Sequence, residues 1–277
     1  MTAWFLLGAV VLAQIGYPLA GDEQRSGLVI VTVALGFAFA LTHATTSRGL
    51  RTAGALVLAT TIGGFVVEAV GVATGFPFGR YAYGTALGPT LLGVPVVIPL
   101  AWTWMAWPAW IVAGYLVPPG RRERAGRGIP SARTVARVLV AGVALAAWDL
   151  FLDPQMVADG YWSWDSSGPG LPGVPDVPVI NYVAWLGVAV VMMALLAAVP
   201  SASRTDRTPT SHPETATLRT ARDGPAICLY LWTYGSSVLA HAAFLGLPAS
   251  AAWGGLGMGL VAVPLAVRLA RQRPFTR

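Results

Sequence analysis

Eight apolar runs, each long enough to cross about 30 Å of hydrocarbon as a helix, constrain this chain more than any other feature. They fall near residues 3–20, 27–44, 52–74, 91–117, 134–152, 180–199, 225–246 and 249–270. The expected fold is all-α: a polytopic membrane helix bundle forming one integral domain over residues 1–277. Composition agrees, with 55% hydrophobic and only 11% charged residues, against about 25% charged in a soluble domain. No basic residue precedes the first run, which argues against a cleavable signal peptide.

The net charge of +6 invites a nucleic-acid reading, and the placement of the charge rejects it. All eighteen basic residues are arginine, and sixteen of them lie in the connections after the second, fourth, sixth and eighth runs. Only Arg25 and Arg80 remain for the other side. The positive-inside rule then makes both termini cytoplasmic and the location the cell membrane, in a multi-pass arrangement. The connections 118–132 and 200–224 become cytoplasmic loops, the second polar enough to be flexible. The loops 21–26, 75–90 and 153–179 face outward. The basic loops are topology signals with lipid headgroups as contacts, so the expected partners are the bilayer and no nucleic acid.

Within this frame the stretch Ala147 to Met156 stands out. Asp149 and Asp153 are one helical turn apart and share a face. Pro154 disfavours helical geometry at Asp153, so the second carboxylate is expected at the helix exit. An acid inside a membrane segment is costly, and the default reading is functional. Glu68 lies in the outer part of the third run. Arg80, Tyr81 and Tyr83 follow that run, Asn181 opens the sixth, His241 ends the seventh and Tyr17 ends the first. Polar groups distant in sequence thus converge on one leaflet, either as a site or as a network locking the helices together.

An acid kept neutral by a low-dielectric pocket can protonate a substrate, and Arg80 could pair with another carboxylate and hold it charged as a base. Trp148, Phe151, Tyr81, Trp102 and Trp104 are candidate aromatic faces for a developing cation. Together these suit water or proton chemistry on an apolar alkene. Asp149, Glu68 and Asp153 are the expected catalytic residues. Asp149 or Glu68 would deliver the proton from depth, and Asp153 would hold water at the boundary. Arg80, Tyr81, Tyr83, Trp148, Asn181, Trp102 and His241 are the expected substrate contacts. Trp162 and Trp164, in the third outer loop, read as an interfacial belt, with a lid over a lipid-facing site as the alternative. No metal is expected. His43, His212 and His241 lack ligand spacing, and the single Cys228 excludes a thiolate site. The glycines from Gly254 to Gly259 lie inside an apolar run with no preceding strand and are no nucleotide site. Gly71-x-x-x-Gly75 and Gly255-x-x-x-Gly259 read as helix packing.

The runs Gly75 to Tyr81, Leu87-Gly88-Pro89 with Gly93-Val94-Pro95, and Trp148 to Met156 resemble those of the CruF-type carotenoid hydratases, a membrane family of carotenoid biosynthesis. Gly160-Tyr161-Trp162 and Pro178 to Tyr182 with Trp185 extend the similarity, which covers about Gly63 to Gly187. The resemblance implies hydration of the terminal C1–C2 double bond of an acyclic carotenoid end group, giving a tertiary 1-hydroxy carotenoid. It implies no cofactor, a carotenoid and water as substrates, and other carotenoid biosynthesis enzymes as partners. Rival readings are a membrane prenyltransferase, a carotenoid cyclase, a proton-relay transporter and a non-catalytic carotenoid-binding subunit. The prenyltransferase suffers because the acids lie on the arginine-poor side.

Overall fold

In the computed structural model, residues 1–118, 131–165, 168–199 and 213–272 are described. Residues 119–130 of the loop expected at 118–132 and residues 200–212 of that expected at 200–224 lie outside them, together with His212 and many of the loop arginines.

The apolar runs become long helices: α1 (Thr2–Gly16), α2 (Asp22–Arg48), α5 (Ile98–Leu116), α6 (Ala132–Ala158), α7 (Val179–Ala197), α8 (Pro213–Ala243) and α9 (Pro248–Gln272). The third run is one continuous helical rod made of α3 (Leu50–Leu56), a π-helical turn (Val57–Ile62) and α4 (Gly63–Thr74). Among the described residues six helices are long and apolar enough to span a membrane. The Trp-rich α5 instead forms the buried centre, where every residue from Ala101 to Tyr115 is buried. The chain is an all-α polytopic membrane protein.

Three expectations about segment ends change. The fourth helix begins at Ile98 rather than near 91. Residues before it form a hairpin of β2 (Thr90–Leu91) and β3 (Val94–Pro95), turned by Leu92 and Gly93 at φ 51° and 81°, the positive-φ pair that a two-residue hairpin favours. The outer loop expected at 21–26 is almost wholly helical, because α2 starts at Asp22, and the turn lies earlier, in a 3-10 segment at Tyr17–Leu19. Residues 213–224 belong to α8 rather than to a flexible linker. Asp223 anchors that helix end. Arg48 donates to both its carboxylate oxygens at 3.0 and 2.9 Å, and Arg222 Nε donates at 3.0 Å. Beside this buried pair, Trp107 Nε1 donates to His43 Nδ1 at 2.9 Å, so His43 Nε2 carries the hydrogen given to the Arg222 carbonyl at 3.0 Å. The knot ties α2, α5 and α8 together.

Pro154 does not end α6, which continues to Ala158. A helix interior proline leaves the carbonyl four residues earlier without its donor. Here that carbonyl belongs to Leu150, and the Ser250 hydroxyl of α9 donates to it at 2.7 Å. The next carbonyl, Phe151, faces His241 Nε2 at 3.0 Å. Neighbouring helices thus satisfy the freed backbone, as a membrane interior requires. Asp153 therefore sits within the helix, buried, and not at its exit.

The glycines of α9 serve packing on two sides. A Cβ at Gly254 would meet the Phe151 ring at 2.6 Å and one at Gly257 the Leu150 side chain at 2.5 Å, both on α6. Gly255 and Gly259 face Val238 and Tyr234 of α8. Gly75, by contrast, is a left-handed helix cap at φ 80°, and Gly71 faces Tyr81, so that pair is not a helix–helix motif.

On the arginine-poor side, β1 (Tyr81–Tyr83) pairs antiparallel with β4 (Trp162–Trp164), joining two loops distant in sequence. A second hairpin, β5 (Gly170–Leu171) with β6 (Val174–Pro178), lies beside them.

Candidate active site

The site grows from one face of α4. Gly64, Glu68 and Gly71 are spaced i, i+4 and i+7 and therefore line up. A Cβ at Gly64 would stand 2.8 Å from Trp102 Cδ1, and one at Gly71 would stand 2.6 Å from the Tyr81 hydroxyl. Both missing side chains leave room for donors to the acid between them. Glu68 Oε2 accepts from Tyr81 at 2.6 Å and Tyr83 at 2.8 Å, and Oε1 accepts from Trp102 Nε1 at 3.1 Å. The π-turn ahead of α4 is pinned to α5 through Thr60 and Thr61, both bonded to Thr103. Burial and the neighbouring Glu68 charge push the Tyr81 and Tyr83 phenols well above their usual range, so both remain donors.

Opposite Glu68 lies the second acidic group. The Asn181 amide of α7 donates to Asp149 Oδ2 at 3.0 Å and also to Asp153 Oδ2. The two carboxyls stand one helical turn apart and share this one amide, and Asp149 Oδ1 is left without a hydrogen-bond partner among the described residues. Glu68, Asp149 and Asp153 expose only 4%, 0% and 3% of their surface.

A cavity of about 140 Å³ opens against these groups. Glu68, Tyr81, Tyr83, Asp153, Asn181, Trp102 and Trp148 are on its wall. Asp149 stands directly behind Asp153 and Asn181 rather than on the wall itself. Two expected contacts are not brought in. The Arg80 side chain is exposed and outside the cavity, and the tyrosines occupy the place at Glu68 expected of a cation. His241 is buried off the wall, its ring nitrogens facing the Ser237 and Phe151 carbonyls, where it clamps α8 to α6. Tyr17 is at the rim, donating to Asp159, which Arg25 also reaches at 3.0 Å.

The lid reading replaces the belt for Trp162 and Trp164. Both are on the cavity wall, and in the β1–β4 ladder Tyr81 pairs with Trp164 and Tyr83 with Trp162. The matching aromatic-x-aromatic spacing of Tyr81/Tyr83 and Trp162/Trp164 is the period of two strands, a signal that was present in the sequence. Trp185 was likewise missed as a site residue. It stacks on Trp102 with centroids 3.8 Å apart and meets Trp148 edge-on at 6.4 Å. Its position four residues after Asn181, on the same helical face, could have marked it.

Fold and site together define a polytopic helical membrane protein with a buried acidic and aromatic cavity under the β1–β4 ladder. The carotenoid biosynthesis protein family model matches residues 26–219, and the chain belongs to that family. It is also similar to a bisanhydrobacterioruberin hydratase from Haloarcula japonica, 34% identical over 116 residues, which are 42% of this chain and 36% of the relative. The chain thus spans little more than a third of that relative's length in the match. No solved structure matches.

Proposed function

We propose that this protein hydrates the terminal C1–C2 double bond of an acyclic carotenoid end group in the cell membrane, giving a tertiary 1-hydroxy carotenoid without a cofactor. The observation that carries this reading is the contrast between the two acidic groups on one aromatic cavity. Glu68 faces three donors and no acceptor, which suits a carboxylate. Asp149 and Asp153 share the Asn181 amide and form no ion pair among the described residues, which suits a pair sharing one proton. The acid on the wall is Asp153, with Asp149 as its partner behind, so Asp153 takes the proton-donating role that sequence spacing suggested for Asp149 or Glu68.

Asp153 transfers the proton to C2, and the C1–C2 π pair becomes the new C2–H bond, leaving a tertiary cation at C1. The Glu68 charge and the faces of Trp102, Trp148 and Trp185 stabilise that cation. Water adds through its lone pair to C1, and the oxonium proton returns to the Asp pair. The net change is one water added, and the acid is regenerated. The end of the bundle that carries Glu68, Asp149 and Asp153 faces outward in the topology that the arginine distribution supports, with both chain termini cytoplasmic.

The test is the purified protein with an acyclic carotenoid in H₂¹⁸O and, separately, in D₂O. The label is expected in the tertiary hydroxyl, and one deuterium at C2. A hydroxyl oxygen derived from O₂, or a cyclised product, defeats the reading.

A further inference from the structure

Trp104 is the odd member of the tryptophan set in this bundle. Trp102, Trp107, Trp164 and Trp232 give their indole N–H to Glu68, His43, the Phe78 carbonyl and Gln14. Trp104 is only 5% exposed, and its buried Nε1 has no hydrogen-bond partner among the described residues. A buried, unsatisfied donor costs about 1–3 kcal/mol and calls for a reason. Nothing about the packing here is loose. The indole lies on the bare backbone of Gly36 in α2, where a Cβ would stand 2.5 Å from its pyrrole carbons, and it meets Trp148 edge-on at 5.3 Å.

Trp104 is on the cavity wall, and so is Thr32, a buried hydroxyl one helical turn before Gly36 on the same face of α2. The cavity therefore carries a neutral polar pole in addition to its acidic one. A neutral donor and hydroxyl, with no charge, suit one oxygen atom of a water or an alcohol.

We propose that Trp104 Nε1 and the Thr32 hydroxyl hold the water that becomes the product's tertiary hydroxyl. This rests on the hydration reading and specifies how the cation is captured. Trp104 donates to one lone pair of the water, and Thr32 accepts one of its hydrogens. The second lone pair is left to bond to C1, and the proton lost after addition goes to the Asp149–Asp153 pair. Trp104 and Thr32 take no part in the preceding proton transfer to C2. Removing them therefore leaves the cation to give a proton back from C2 and revert to the alkene.

The experiment compares wild type, Trp104→Phe and Thr32→Val in D₂O with an acyclic carotenoid, measuring both the hydroxylated product and deuterium at C2 of the recovered alkene. Trp104→Phe keeps an aromatic ring against Gly36 and Trp148; Thr32→Val keeps shape. Each variant is expected to lose about tenfold in hydration, the worth of one hydrogen bond of about 1.4 kcal/mol. Exchange at C2 is expected to persist or rise. A merely structural role moves both readouts down together, and that result, or unchanged hydration in both variants, overturns the proposal. If Trp104→Phe does not fold, Thr32→Val alone decides by the same ratio. A wild-type protein that neither hydrates nor exchanges sinks the hydration reading, and this proposal with it.

Discussion

Replacing Gly71 by alanine tests whether the glycines of α4 exist to seat the donors of Glu68. The added Cβ would stand 2.6 Å from the Tyr81 hydroxyl oxygen and 3.1 Å from Phe78 Cδ2. Carbon and oxygen settle no closer than about 3.3 Å, so the hydroxyl must retreat by about 0.7 Å. Its hydrogen bond to Glu68 is only 2.6 Å long, and a displacement of that size disrupts it. Hydrogen bonds to charged groups contribute about 1.5–3 kcal/mol, which corresponds to about ten- to hundredfold in rate if Glu68 stabilises the cation. Helix propensity works the other way, since alanine is favoured over glycine by about 1 kcal/mol. The variant is thus expected to fold with nearly unchanged thermal stability in detergent while hydrating an acyclic carotenoid about ten- to hundredfold more slowly. Tyr81→Phe removes the oxygen that the new methyl meets. The double variant should therefore be no slower than Tyr81→Phe alone, a non-additivity expected of residues in contact. A fully active Gly71→Ala protein would refute the reasoning, as would a double variant whose losses multiply.

Asp149→Asn should abolish product, to below about 1%, while insertion and folding persist, because an amide donating to Asp153 holds it charged and removes the shared proton; a fully active, well-folded variant takes Asp149 out of the mechanism. Asp223→Ala should lower thermal stability by about 3–5 kcal/mol by stranding the buried Arg48, with activity per folded molecule kept; an unshifted melting curve contradicts the anchoring role of the pair. Because Tyr81 and Tyr83 hold their protons more tightly when folded than their ordinary value of about 10, stability is complete below that pH and declines as pH rises through it, when the unfolded phenols ionise first. Melting temperature against pH, with Tyr81→Phe flattening the alkaline decline, checks this. A reporter fused at Pro209 should signal from the cytoplasm, and an extracytoplasmic signal rejects the arginine-based orientation.

The sequence by itself determined what depends on local chemistry. Helix number and length follow from apolar runs measured against a bilayer, and the acids Glu68, Asp149 and Asp153 announced themselves because a carboxyl in such a run is costly. Family membership followed from contiguous motifs; Tyr81, Tyr83, Trp102 and Asn181, expected as substrate contacts, hydrogen-bond to those acids instead. What only the tertiary structure decided depends on partners far away in the chain. Pro154 reads locally as a helix end, yet α6 continues because Ser250, on another helix, supplies the donor that the proline lacks. Arg80 reads as a counter-charge from its place after α4, but the pairing of β1 with β4 turns Tyr81 and Tyr83 inward and leaves Arg80, adjacent on the alternating strand, outside. The same pairing brings Trp162 and Trp164 onto the cavity. Asp149 and Asp153 share a helical face, but which of them meets the cavity was set by where α7 places Asn181 between them. Local runs carry the energy of membrane insertion and are legible one segment at a time; a site is a coincidence of segments, and no single segment contains it.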